Sequence, residues 1–180
     1  MKQMITVLLC GSLLFACNPS EKKDDESNQQ KTNETDRGYV FGDDKYTDIA
    51  NTSMNALSTG DADGFIAAYA DNAVFRWSGG DSLNGKAAIN NYWKKRRAEV
   101  IDSHSYSNQI WLPIKVDKPM TDGQLTGNYV LGWNMVHAKY KSGKSMSQRM
   151  HMVFHFDAND KIDRVTQYLD RVPINAAQSK

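Results

Sequence analysis

The sequence predicts an α+β domain in which helices come first and an antiparallel sheet comes after them. Two observations lead there. Residues 46–104 place apolar side chains at helical spacing, whereas residues 128–170 have the alternating, β-branched and aromatic content of strands. Turn residues at Ser142-Gly143 and at Ala158-Asn159-Asp160 then cut the later region into three strands joined by two tight hairpins.

Taken in order, residues 1–17 read as a lipoprotein-type signal peptide. Lys2 supplies a positive start, and Met4 to Ala16 is mostly apolar and too short to span a bilayer. Leu14-Phe15-Ala16-Cys17 resembles a bacterial lipobox, which implies a lipid on Cys17, a membrane as partner, and an address at the cell envelope on the outer membrane. Residues 18–45 read as a disordered tether, because Asn18 to Gly38 offers no large apolar side chain with which to offset its ordering entropy. A flexible chain of that length reaches about 25 Å. Tyr39-Val40-Phe41 is the first apolar cluster, where the chain can dock onto the folded domain.

That domain is expected over residues 46–172, with 173–180 as a C-terminal tail. Ile49, Ala50, Met54 and Leu57 mark a first helix stopped by Gly60, and Asp61 caps a short second one. Ala73 to Trp77 reads as a strand. A third helix after Asn84-Gly85 carries Ile89, Tyr92, Trp93 and Val100 on one stripe. Its tetrad Lys94-Lys95-Arg96-Arg97 is spread around the axis by helical rotation, so it reads as a solvated surface rather than a basic patch.

Three pieces here resemble the SnoaL-like branch of the nuclear transport factor 2 superfamily. They are Gly60-Asp61-Ala62-Asp63-Gly64-Phe65, Tyr69-Ala70-Asp71-Asn72-Ala73-Val74-Phe75 and Gly85-Lys86-Ala87-Ala88-Ile89. Phe156 to Ile162 and Gln167 to Asp170 are similar to the last hairpin of that family. The resemblance implies a cone: three N-terminal helices covering a strongly curved antiparallel sheet, with a pocket in the concave face and a homodimer in many relatives.

Ser107 to Val116 reads as a further strand, with Pro113 confining it to an edge or bulge. A two-residue loop at Ser142-Gly143 would set Asn134 opposite His151, and a three-residue loop at residues 158–160 would set His151 opposite Gln167. Alternation then yields two faces. One carries Leu131, Trp133, Met135, Met150, Met152 and Phe154. The other carries Val130, Gly132, Asn134, Arg149, His151, Val153, His155, Asp163, Val165, Gln167 and Leu169. Hydrophobicity alone would bury the first. The resemblance points to the second as the pocket, leaving Leu131, Trp133, Met152 and Phe154 as a homodimer surface.

On that assignment Trp77, Asn134, Arg149, His151, Val165, Gln167 and Leu169 would bind a small, mostly apolar ligand. The row Asn134–His151–Gln167 can satisfy its hydrogen bonds without any charge. The carboxylates of related enzymes are missing. Ketosteroid-isomerase-like sites place a base at Trp77, a phenol at Ser53 and a carboxylic acid near Arg149; epoxide-hydrolase-like sites place aspartates near Asn134 and at Gln167. A non-catalytic binding module is therefore expected. The alternative is a SnoaL-like isomerase, cyclase or hydrolase with His151 as catalytic base and Arg149 stabilising an oxyanion. A pocket filled by its own aromatics would leave a purely structural role.

Composition narrows the chemistry further. With 22 basic against 21 acidic residues no nucleic-acid partner is implied. Both cysteines, Cys10 and Cys17, precede the domain, which therefore has no thiol nucleophile, disulfide or cysteine metal ligand. His151 and His155, four residues apart along one strand, are about 13 Å apart, too far to share a metal. No metal or cofactor is expected. His155 with Asp163 reads as a rim ion pair.

Overall fold

Three long strands, β4 (Ile101–Val116), β5 (Gly127–Tyr140) and β6 (Ser145–Phe156), form the body of the sheet. The structure, a computed structural model, describes residues 38–179. The expected signal peptide and most of the expected tether lie outside the described residues. The sheet is completed by β1 (Tyr39–Phe41), β2 (Tyr69–Trp77), β3 (Ser82–Asn84) and β7 (Ile162–Tyr168), in the order β1-β4-β5-β6-β7-β2-β3. All neighbours are antiparallel except β2 and β7, which run parallel, so the sheet is mixed. The tether assigned to residues 18–45 thus ends sooner than expected, since Tyr39–Phe41 is an edge strand on β4 and the first helix begins at Lys45. Pro113 sits where β1 stops: its carbonyl accepts from Gly42 N at 3.0 Å, and no edge neighbour needs the amide hydrogen it lacks.

Helix α1 (Lys45–Thr59) buries Tyr46, Ala50, Met54 and Leu57, and Gly60 closes it in the left-handed region at φ 89°. In the short α2 (Ala62–Ile66), the Asp61 carboxylate accepts from Gly64 N at 2.8 Å, the expected cap. Helix α3 (Lys86–Glu99) presses Ile89 and Trp93 into the core. The basic tetrad divides there: Lys94 pairs with Asp63 at 2.6 Å and Lys95 with Glu99 at 3.9 Å on the exposed side, while Arg96 and Arg97 are half-buried. The residues expected as a C-terminal tail instead form α4 (Arg171–Gln178), whose first turn is capped by Asp170 accepting from Val172 N.

Register is where the structure departs most from expectation. The β5–β6 loop has three residues, 141–143, rather than two: Tyr140 N donates to Lys144 O at 2.9 Å, and Gly143 takes the positive φ of 88°. A two-residue type I′ loop would require positive φ at Ser142 as well, which serine disfavours. The one-residue change sets Trp133 opposite His151 and Asn134 opposite Met150. The β6–β7 loop has the expected three residues, with Asp160 at φ 59°. A bulge at Asp163 then shifts the pairing, so that His155 faces Arg164 and Met152 faces Gln167.

Each slip exchanges faces. The two expected faces are therefore shuffled together. On the inner, helix-covered face lie Val130, Asn134, Met150, Met152, Phe154, Val165 and Gln167, all buried. Gly132 belongs there too, and has no room for a side chain: a Cβ would lie 2.3 Å from the Trp111 ring packed over it. On the outer face Ile110, Trp133, His151 and Tyr168 form one row across β4, β5, β6 and β7.

Candidate ligand cavity

Between the inner face of the sheet and helices α3 and α4 lies an open cavity of about 390 Å³, within the range of small-molecule sites. Each wall derives from an element already described. Strand β2 ends in Trp77, β3 contributes Leu83, and α3 turns Tyr92 and Arg96 inward. His104 and Tyr106 come from β4, Val136, Ala138 and Tyr140 from β5, and Met146 and Met150 from β6. Gln167 and Leu169 complete the sheet side, and Arg171, Ile174 and Gln178 of α4 flank the opening.

Three sets of polar groups stand out in the lining. In the first, Trp77 Nε1 donates to Gln167 Oε1 at 2.8 Å, and Gln167 Nε2 reaches Met150 Sδ at 2.8 Å, so the amide is held rigidly. In the second, Asp81 and Arg171 pair at 2.5 Å at the rim. The third is His104, 8% exposed, with neither ring nitrogen bonded to any described residue. Its ring stands edge-on to Tyr106 with centroids 5.4 Å apart. Burial above all, then the nearby Arg97 and Arg96 guanidiniums, pulls its pKa down to about 4. Burial likewise pushes the Tyr106 and Tyr140 phenols up, so both stay protonated. Arg96 lies 5.6 Å from the centroid of the Tyr92 ring, a cation–π contact, and forms no ion pair among the described residues.

Of the residues singled out in the sequence, Trp77, Gln167 and Leu169 line this cavity. Asn134 and Val165 point to the same side but are packed in the core; the Asn134 amide has no partner among the described residues on either its oxygen or its nitrogen. Arg149 and His151 are on the other side of the sheet. Arg149 is exposed, and His151 is stacked between Trp133 at 4.7 Å and Tyr168 at 5.6 Å, with Nδ1 donating to the Gly132 carbonyl at 3.0 Å. The expected row Asn134–His151–Gln167 does not exist, because the three-residue loop and the Asp163 bulge separate its members. Leu131 and Trp133 keep their outward position, but Met152 and Phe154, expected beside them, are core residues at 1% and 0% exposure.

His155 and Asp163 do meet, Nδ1 to Oδ1 at 2.5 Å, and His155 Nε2 lies 3.0 Å from the Thr126 carbonyl oxygen. Both ring nitrogens are engaged, so the pair anchors the loop that leads into β5 and has no nitrogen free for a ligand. Among the described residues no three His, Cys, Asp or Glu side chains gather as a metal would require.

Sequence reasoning missed His104, Tyr106, Arg96 and the α4 contribution. The strand was expected to start at Ser107, whereas β4 begins at Ile101. A signal for α4 exists, Asp170 before Val172 and Ile174 being a helix-start pattern, whereas Asp102, Ser103 and Ser105 disguise the start of β4.

The SnoaL-like domain family matches residues 50–165, most of the chain's described length. The chain belongs to that family. No curated protein matches it. Among solved structures, this SnoaL-like protein is similar to a candidate polyketide cyclase from Xanthomonas campestris pv. campestris at 17% identity, with a TM-score of 0.59 over 75% of this chain and 97% of that one. It is also similar to a candidate isomerase from Bacillus subtilis, at 18% identity and a TM-score of 0.58 over 74% and 92% of the two chains. A protein of the nuclear transport factor 2-like fold from Burkholderia pseudomallei, of unknown function, aligns at 13% identity and a TM-score of 0.58 over 75% and 98%. At these identities the likeness is one of fold, and it identifies the sheet and its helical cover as nuclear transport factor 2-like.

Proposed function

We propose that this SnoaL-like protein is a membrane-tethered binding module that holds a small, mostly apolar ligand in its cavity without converting it. The observation that carries the reading is the make-up of the cavity wall. Aromatic and aliphatic side chains make up much of it, and its one carboxylate, Asp81, is committed to Arg171. Proton transfer in the manner of an isomerase or cyclase needs a group that titrates near the working pH. His104, held down to about 4, is a poor base there, and His151 lies on the opposite face of the sheet. The names of the structural neighbours favour the enzymatic alternative, but the residues of this cavity do not supply its acid–base pair.

Mass spectrometry on the purified protein tests the reading. We expect an unchanged small molecule to be released on denaturation, and to be lost from Leu83→Trp, which narrows the cavity. Its chemical conversion on incubation with the protein would overturn the proposal.

The same reading includes a lipid on Cys17 that holds the domain at the outer membrane. Cys17→Ser should move the protein to the soluble fraction, and unchanged membrane association would remove this part. A second copy of the chain is the proposed partner for the outer row, where Ile110 is 64%, Trp133 39% and Tyr168 46% exposed. Sedimentation at several concentrations checks it, a persistent monomer being the contrary result.

A further inference from the structure

The charges around the cavity do not cancel. Asp81 and Arg171 neutralise each other at the rim, and no other carboxylate lines the space. Arg96 remains: half-buried, resting on the Tyr92 ring, and without an acidic partner among the described residues. A guanidinium keeps its charge at any physiological pH, and its parallel donors match a carboxylate. His104 is the second observation. More than nine-tenths buried, it lines the same cavity with both nitrogens bare, close enough to Arg96 to feel its charge. A buried polar group left unpaired costs free energy that a ligand atom can recover.

We propose that the ligand is a small apolar acid, whose carboxylate, or an equivalent delocalised oxyanion, pairs with Arg96 and accepts a hydrogen bond from the His104 ring. The apolar body then lies along Trp77, Leu83 and Ile174. This rests on the binding reading above and narrows it from apolar molecules in general to monoanions. The neutral imidazole suits the role, because a second full positive charge beside Arg96 would be repelled, whereas a neutral ring still has one N–H to donate.

A matched probe pair separates the two ideas: 2-naphthoate, an acid, and 2-naphthamide, its neutral near-isostere, titrated by calorimetry into the full chain. The acid should bind at least on the order of tenfold more tightly, as a charge-assisted contact implies. Arg96→Gln should abolish that preference, bringing the acid to the level of 2-naphthamide, and His104→Phe should weaken the acid by a smaller factor. Thermal unfolding of each variant verifies that it is folded. Equal binding of acid and amide by the unaltered protein, or a preference that survives Arg96→Gln, overturns the anion assignment and leaves the cavity as an apolar binding site. Binding of neither probe overturns both.

Discussion

On the inner face of the sheet, His104 stands in an apolar cavity with both nitrogens bare. On the outer face, His151 is layered between Trp133 and Tyr168 with Nδ1 tied to a backbone carbonyl. Both are histidines on long central strands, and both have aromatic neighbours. What differs is which side of the sheet they leave from. The inner position is covered by helices, so its ring is desolvated and kept neutral. The outer ring has stacking partners and a partly exposed surface. A polar side chain therefore acquires chemical potential here from the layer that covers it, not from its identity or its neighbours along the chain.

The largest test of this contrast is Phe154→Ala. If the inner face is the core, removing a side chain at 0% exposure should cost about 3–5 kcal/mol in denaturant unfolding. Trp133→Ala on the outer face should cost far less in the monomer. The opposite ranking would mean that the faces have been assigned the wrong way round.

A second test sharpens the claim that His104 is neutral. Its folded pKa of about 4 lies below the ordinary 6.5, so between those values the unfolded chain binds a proton that the folded one refuses. Stability from this group is complete above pH 6.5 and is lost as pH falls toward 4. The loss is on the order of 3 kcal/mol. Comparing unfolding free energies of the native protein and His104→Phe across that window should show a steeper fall in the first, the difference between the two profiles being the contribution of His104. Parallel profiles would show that the ring is not desolvated.

The smallest effect is expected at His151. His151→Ala should cost about 1 kcal/mol, the scale of an aromatic stacking contact, and should leave binding of 2-naphthoate unaltered. A binding loss comparable to that of Arg96→Gln would return His151 to the site and contradict the observed register.

Some of this architecture was legible in the chain. Gly60 and Asp61 stop one helix and start the next through local backbone rules, and they do so wherever the segment is placed. The alternation in residues 128–136 and 149–156 likewise specified strands, and the loose motifs of residues 60–89 pointed to the family. Gln167 was within reach because the loop and the bulge each shift register by one residue, so the two slips cancel and β7 keeps its expected side relative to β5.

The remainder was set by the assembled sheet. Ser142-Gly143 is compatible with a loop of two or three residues, and one backbone angle decides between them. Asp163 bulges where its carboxylate meets His155, a partner eight residues away on another strand. Because side chains alternate with a period of two, the loop inverts β6 relative to β5 and the bulge turns β7 back, so it is the residues of β6 that exchange faces. Local sequence thus determined that strands, helices and a SnoaL-like cone would form. Which histidine looks into the cavity was decided only by pairing between strands and by burial under α3 and α4, both of which depend on residues distant in the chain.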